Sequence, residues 1–367
     1  MNRQRENRHR WPRFGLGMLA LAALATGAAA CGGSSGADPG TGGTINGSGA
    51  TFPAPVYQQW GADLKSKQGL TVNYQAVGSG QGVADFTAGT VDFGASDAAL
   101  KDEELKAAQA KGTPLDIPTV FGAVTVSYNA KGVPKGLKLD GATVASIYLG
   151  KVTSWNDPAI ARQNPGVKLP ASRITVVHRS DESGTTKLFT SFLEAYSPQW
   201  ASQVGSDKSV KWPTGTGAKG NDGVAAAVKQ TDGSIGYVEQ AYALANGFTF
   251  AAVKNKAGNY VVPSLQSTSA AGDGLSVPAD LRFSAINAPG AQAYPIASAT
   301  FVLVYRDMCK AGVAEGQAKG VKQFLDYGLG AGQAQAQQLH YAPLPPAILS
   351  KAKAKVAGLQ CNGKALG

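Results

Sequence analysis

The stretch ITVVHRSDESGTTKLFTSFLEAY, residues 174–196, decides the fold. Ile174–His178 reads as a strand and Thr185–Tyr196 as a helix. Between them lies a polar loop, Arg179-Ser180-Asp181-Glu182-Ser183-Gly184-Thr185. The same succession recurs on both sides. Upstream, Val56–Lys67 is helical in pattern and Leu70–Val77 strand-like, followed by a helix over Gly82–Ala88 and a strand over Val91–Ala95. Asp102–Ala110 is then helical, with Asp102 as its N-cap, and Val120–Tyr128 is a strand. Downstream, Ile235–Val238 precedes the helix Gln240–Ala245, and Phe301–Tyr305 is a last strand before a helical C-terminal region. Strands alternating with helices predict an α/β fold with mostly parallel sheets.

With 367 residues the chain is long enough for about two domains. At 43% hydrophobic and 16% charged it can bury a sizeable core, which excludes global disorder. The net charge of +10 is uneven: residues 1–13 hold five Arg and one Glu. The remaining excess forms no Lys/Arg cluster, so nucleic-acid binding is excluded. Pro and Gly clusters near 129–136 and 287–296 mark the expected crossings between two halves.

The first thirty residues read as an export signal. The basic n-region (Arg3, Arg5, Arg8, Arg10, Arg13) precedes an uncharged run from Phe14 to Ala30 that ends in small residues. Those 17 residues fall short of the roughly 20 a membrane span needs. Ala28-Ala29-Ala30-Cys31 resembles a lipobox, which implies lipidation of Cys31, and the Gly- and Ser-rich segment to Thr44 reads as a flexible tether. Lipidation of Cys31 leaves Cys309 and Cys361 as an even pair in an oxidising compartment, a candidate disulfide. With no C-x-x-C and three scattered His, no metal or other cofactor is expected.

Three loops share anion-binding chemistry: Gly49–Pro53, Gly78–Gly82 and Arg179–Thr185. Each feeds a helix, where free backbone N–H groups and neighbouring hydroxyls can hold an anion. Gly215–Gly220 matches G-x-G-x-x-G, but Trp212-Pro213 precedes it instead of a strand, which argues against dinucleotide binding. His178 cannot serve Ser183 as a base, because neighbours on a strand point to opposite faces.

Gly49-Ala50-Thr51-Phe52-Pro53-Ala54-Pro55-Val56-Tyr57, Val91-Asp92-Phe93-Gly94-Ala95-Ser96-Asp97 and Arg179-x-Asp181-x-Ser183-Gly184-Thr185 resemble the bacterial periplasmic phosphate-binding proteins, solute receptors of ABC-type phosphate importers. Ile147–Lys151, Gly220–Gly223 and Gly236–Glu239 resemble them too, so the likeness runs from about residue 45 to 350. It implies a two-lobed periplasmic binding protein fold (type II), each lobe a mostly parallel sheet flanked by helices, with the ligand in the cleft between them. The corresponding lobes are 45–129 plus 296–367, and 130–295. Phosphate would be held by Thr51, the Phe52 backbone N–H, Ser79, Asp97, Arg179, Ser183, Gly184 and Thr185, with Asp181 orienting Arg179. Gln81 and Glu182 stand where relatives commonly have small residues.

Asp97 is the informative member of that set, since a carboxylate should repel an anion. Phosphate near neutral pH keeps a proton to donate to it, whereas sulfate does not. The competing reading makes Asp97 a helix N-cap. The implied function is a non-catalytic, monomeric lipoprotein that captures inorganic phosphate outside the cytoplasmic membrane and delivers it to the permease and ATPase of an importer. The alternatives are an exported phosphatase, which would need a metal cluster or an activated nucleophile, and a phosphate-sensing surface protein.

Overall fold

The structure, a computed structural model, describes residues 43–367, which fall within one compact unit. The export signal, Cys31 and nearly all of the tether lie outside the described residues. Thr44, expected as the last residue of the tether, opens the first strand.

Nine strands form the main sheet: β1 (Thr44–Gly49), β2 (Thr71–Ala76), β3 (Phe93–Ser96), β4 (Pro114–Asn129), β5 (Thr175–Arg179), β6 (Thr216–Ala218), β7 (Ser234–Glu239), β8 (Thr249–Phe250) and β9 (Ala297–Tyr305). Their order is β2-β1-β3-β9-β4-β7-β5-β6, with β8 also on β4. Pairing is parallel toward both ends (β2-β1-β3 and β7-β5-β6), as the alternation predicts. In the middle, β9 and β4 run antiparallel to their neighbours, because these strands carry the chain from one half to the other.

β4 is the long crossing strand. Its first part, Pro114–Ala123, pairs with β9, and Val124–Asn129 pairs with β7. The partner changes between Ala123 and Val124. There Val124 N donates to Ile296 O (2.8 Å), and Ala297 pairs with Ala123. Six residues of β4, Pro114–Thr119, lie upstream of the expected strand, which opened at Val120. Pro118 is accommodated at an irregularity where the register shifts opposite Thr300 and Phe301.

Helices cover the sheet. Helix α1 (Ala54–Gln68) buries Val56, Tyr57, Trp60, Gly61 and Leu64, a helical stripe, and stops at left-handed Gly69, whose N–H caps Lys65 O at 3.1 Å. Tyr57, Trp60, Phe93 and Phe324 pack ring against ring beneath it. In the other half, Tyr148, Phe189, Trp212 and Tyr237 form the matching cluster. Each such buried ring contributes roughly 1.5–3 kcal/mol by leaving water. Cys309 and Cys361 are joined, Cα atoms 4.7 Å apart, pinning a C-terminal hairpin beside the end of β9.

Candidate functional site

Four helix starts meet where the two halves of the sheet face each other. The first two belong to α1, packed on β2, and to α2 (Ser79–Ala88), packed on β1 and β3. The other two belong to α3 (Gly184–Tyr196), after β5, and α4 (Gly220–Gln230), after β6. Only α3 is capped by a side chain: Ser183 Oγ accepts from Thr186 N at 3.1 Å. The starts of α1, α2 and α4 carry no capping side chain on their own N-cap residues, and some of their N–H groups bond across the site. Gly80 N donates to Glu182 O (3.0 Å), Gly220 N to Asp181 Oδ1 (3.1 Å) and Asn221 N to Thr51 Oγ1 (3.2 Å), while the helix dipoles still favour an anion there.

Every residue expected to hold the ligand arrives here, and all are buried: Thr51, Phe52, Ser79, Asp97, Arg179, Ser183, Gly184 and Thr185. Phe52 lies in the turn before α1. Its ring packs on Gly122 of β4, where a Cβ would come within 2.4 Å, and its carbonyl accepts from Tyr341 Oη. Gly184 meets Ser79 and Asp97 so closely that a Cβ would sit 2.4 Å from Ser79 Oγ. Only glycine lets these two loops touch.

Arg179, 2% exposed, is held by Asp181, whose Oδ1 accepts from Nε at 2.7 Å and whose Oδ2 accepts from a terminal nitrogen. Asp181 also accepts from Gly220 N (3.1 Å). Burial opposes ionisation of Asp181, but the hydrogen bonds and charge of Arg179 outweigh it and hold the carboxyl below its ordinary range. The other terminal nitrogen of Arg179 reaches Thr185 Oγ1 at 3.4 Å.

Asp97 is 1% exposed and is no helix cap: the next helix begins at Asp102 with Lys101, not Asp102, as its N-cap. Its Oδ1 accepts from Thr300 Oγ1 (3.0 Å) and its Oδ2 from Thr185 Oγ1 (3.3 Å). Burial pushes its pKa up to about 7; the two hydroxyls and the charges of Arg179 and Lys208 only partly offset it. A carboxyl poised there can accept or give a proton near neutral pH.

Asn221, at the start of α4, belongs to the site and was not among the expected residues. Its Nδ2 donates to Thr51 Oγ1 (2.8 Å) and Thr185 Oγ1 (3.2 Å), and its Oδ1 accepts from Glu239 N (2.9 Å). The signal was present in Gly220–Gly223 and in the glycine-rich run before it, which forms β6 and a helix start without any dinucleotide geometry. Gln81 turns away to Asp85 on its own helix (2.7 Å), and Glu182 is exposed. His178 stacks on Trp212 and contacts Arg179 O, away from Ser183. Among the described residues, no group of three or more His, Cys, Asp or Glu is placed to hold a metal.

An uncharged ring of donors, one arginine and one buried acceptor between two α/β halves define a solute-binding cleft. Residues 34–331 match the family model described as a PBP superfamily domain, and the chain belongs to that superfamily. Within it, the chain belongs to the family of phosphate-binding proteins PstS. It is 42% identical to the PstS of Xylella fastidiosa strain 9a5c over 84% of each chain. It is also 42% identical to that of Pasteurella multocida, over 85% of this chain and 89% of the relative. A solved structure of a high affinity periplasmic phosphate-binding protein bound with phosphate superposes with a TM-score of 0.69 at 25% identity, covering 88% of this chain and 96% of that one. These relatives bear the names of binding proteins, not of enzymes.

Proposed function

We propose that the chain captures inorganic phosphate outside the cytoplasmic membrane and delivers it to the permease and ATPase of an ABC-type importer, without chemistry of its own. The observation that carries the reading is the pairing of one fixed guanidinium with one buried carboxyl in a site otherwise made of donors. Arg179, pre-oriented by Asp181, offers a planar fork to two anion oxygens. The hydroxyls of Ser79, Thr51 and Ser183 and the Phe52 backbone N–H supply further donors, while Asn221 orients Thr51 and Thr185 through its amide. Asp97 is the acceptor that a protonated phosphate satisfies and a fully ionised sulfate leaves facing like charge.

The same reading divides the chain into lobes 44–123 plus 297–367, and 124–296, with the crossings in β4 and before β9 as hinge. It anchors a monomer to the membrane through lipidated Cys31. Among the described residues no helix is long and apolar enough to cross a membrane. Calorimetric titration of the full chain with phosphate, sulfate and arsenate tests the function. Tight phosphate binding with sulfate at least a hundredfold weaker is expected, and equal affinity for phosphate and sulfate would overturn it.

A further inference from the structure

Three ion pairs cross between the halves; that of Arg282 with Asp102 (2.8 Å) is carried on an Asp102 side chain 93% exposed, and the other two are tied to the site. Lys101 Nζ lies 2.5 Å from an oxygen of Asp207, and Lys208 Nζ lies 2.5 Å from Glu104 Oε1. These two are reciprocal: each side presents one lysine and one carboxylate. Lys101 and Glu104 stand at the start of the Asp102–Ala108 helix, a few residues after Asp97. Asp207 and Lys208 lie in the segment that follows α3 on the opposite half.

That segment is tied to the anion site. Lys208 O accepts from Ser183 N at 2.8 Å, and Lys187 Nζ, on α3, donates to Ser206 O at 3.1 Å. On the other side, Glu104 Oε2 accepts from Lys101 N (3.0 Å), and Leu100 N donates to Asp116 Oδ1 (3.0 Å). The crossed pairs therefore join the backbone behind Asp97 to the backbone behind Ser183.

We propose that Lys208 and Glu104 are positioning residues for phosphate, forming a latch that holds the cleft shut and slows release. The proposal rests on the phosphate reading above. The two pairs are unequal. The side chains of Lys101 and Asp207 are 34% and 44% exposed, so that pair is screened and worth little. Those of Lys208 and Glu104 are 4% and 20% exposed. Removing one partner there leaves a desolvated charge in the closed form, while opening the cleft rehydrates both. The latch stabilises the closed state selectively, so breaking it shifts the equilibrium toward opening.

Radiolabelled phosphate bound to the full chain, chased with unlabelled phosphate, tests this. Lys208→Met and Glu104→Gln should each speed release about tenfold and change association less than about twofold. The double variant should release no faster than either single, and the exchange Lys208→Glu with Glu104→Lys should recover most of the slow release. Asp207→Asn, a milder change at the exposed pair, should move release less than about twofold. Unchanged release in Lys208→Met and Glu104→Gln, or strictly multiplicative effects in the double variant, would overturn the latch. Failure of the wild-type chain to retain labelled phosphate would instead overturn the phosphate reading.

Discussion

Asp97 and Asp181 stand on opposite sides of one site and experience it oppositely. Asp181, at the rim, sits directly on the Arg179 guanidinium and a backbone N–H and stays ionised well into acid. Asp97, on the floor, has only threonine hydroxyls against it, and burial lifts it to about 7. The side chain is the same, so the environment alone separates a structural carboxylate from a proton-reading one. Asp181 fixes where positive charge sits; in the function proposed above, Asp97 asks whether the ligand brings a proton.

The comparison breaks most completely at the arginine. Arg179→Met leaves Asp181 without its partner and removes the cation facing the ligand, at about 3–5 kcal/mol for a broken buried pair. Phosphate affinity should fall about a thousandfold, and sulfate should fall with it, since Arg179 supplies charge and not proton recognition. Calorimetry that finds sulfate unaffected would contradict the roles assigned here.

Asp97→Asn separates the two carboxylates by function. The lost charge-assisted bond should weaken phosphate by about ten- to a hundredfold. Sulfate should improve, because repulsion is gone and an amide can donate. The selectivity ratio should collapse even where phosphate affinity falls modestly. An unchanged ratio would mean that the discriminating acceptor lies elsewhere.

The smallest effect is thermal and concerns the ligand-free protein. Asp97 binds its proton more tightly folded than unfolded, so its contribution to stability is full below about pH 4 and is lost as pH rises to about 7. Asp181 does the reverse: its contribution is present above about pH 4 and lost as pH falls through its depressed value. The melting temperature of Asp97→Asn should therefore fall less steeply than wild type from pH 4 to 7, by about a few degrees. Asp181→Asn should be less stable than wild type near neutrality and converge with it in acid. Parallel melting curves for wild type and both variants across that range would deny the contrast.

Much of this arrangement was legible in the sequence, and the exceptions share a cause. The strand–loop–helix units at residues 71–88 and 174–196 were readable because their signals are local: apolar strands, glycine and hydroxyl loops, amphipathic helices. The first third of β4 was not, since Pro118 is tolerated through a shifted register against Phe301, nearly two hundred residues on, and Pro114 by standing at the strand's first position. Asn221 was missed likewise. Its importance comes from meeting Thr51 and Thr185 across the sheet, and its own neighbourhood offers only a glycine-rich run. The pairing of Cys309 with Cys361 was accessible from parity, but the place where the bridge pins the hairpin was not.

The crossings in β4 and before β9 have a mechanical consequence. The two chain passages lie side by side and are hydrogen-bonded to each other at Ala123–Val124 and Ile296–Ala297. They form a narrow ribbon of two strands. Such a ribbon flexes readily perpendicular to its plane and resists shear within it, because in-plane sliding would break ladder bonds in register. On the proposed reading of two lobes hinged here, ligand exchange would be reduced to a single angular degree of freedom, with the two walls of donors returning to the same alignment on every stroke.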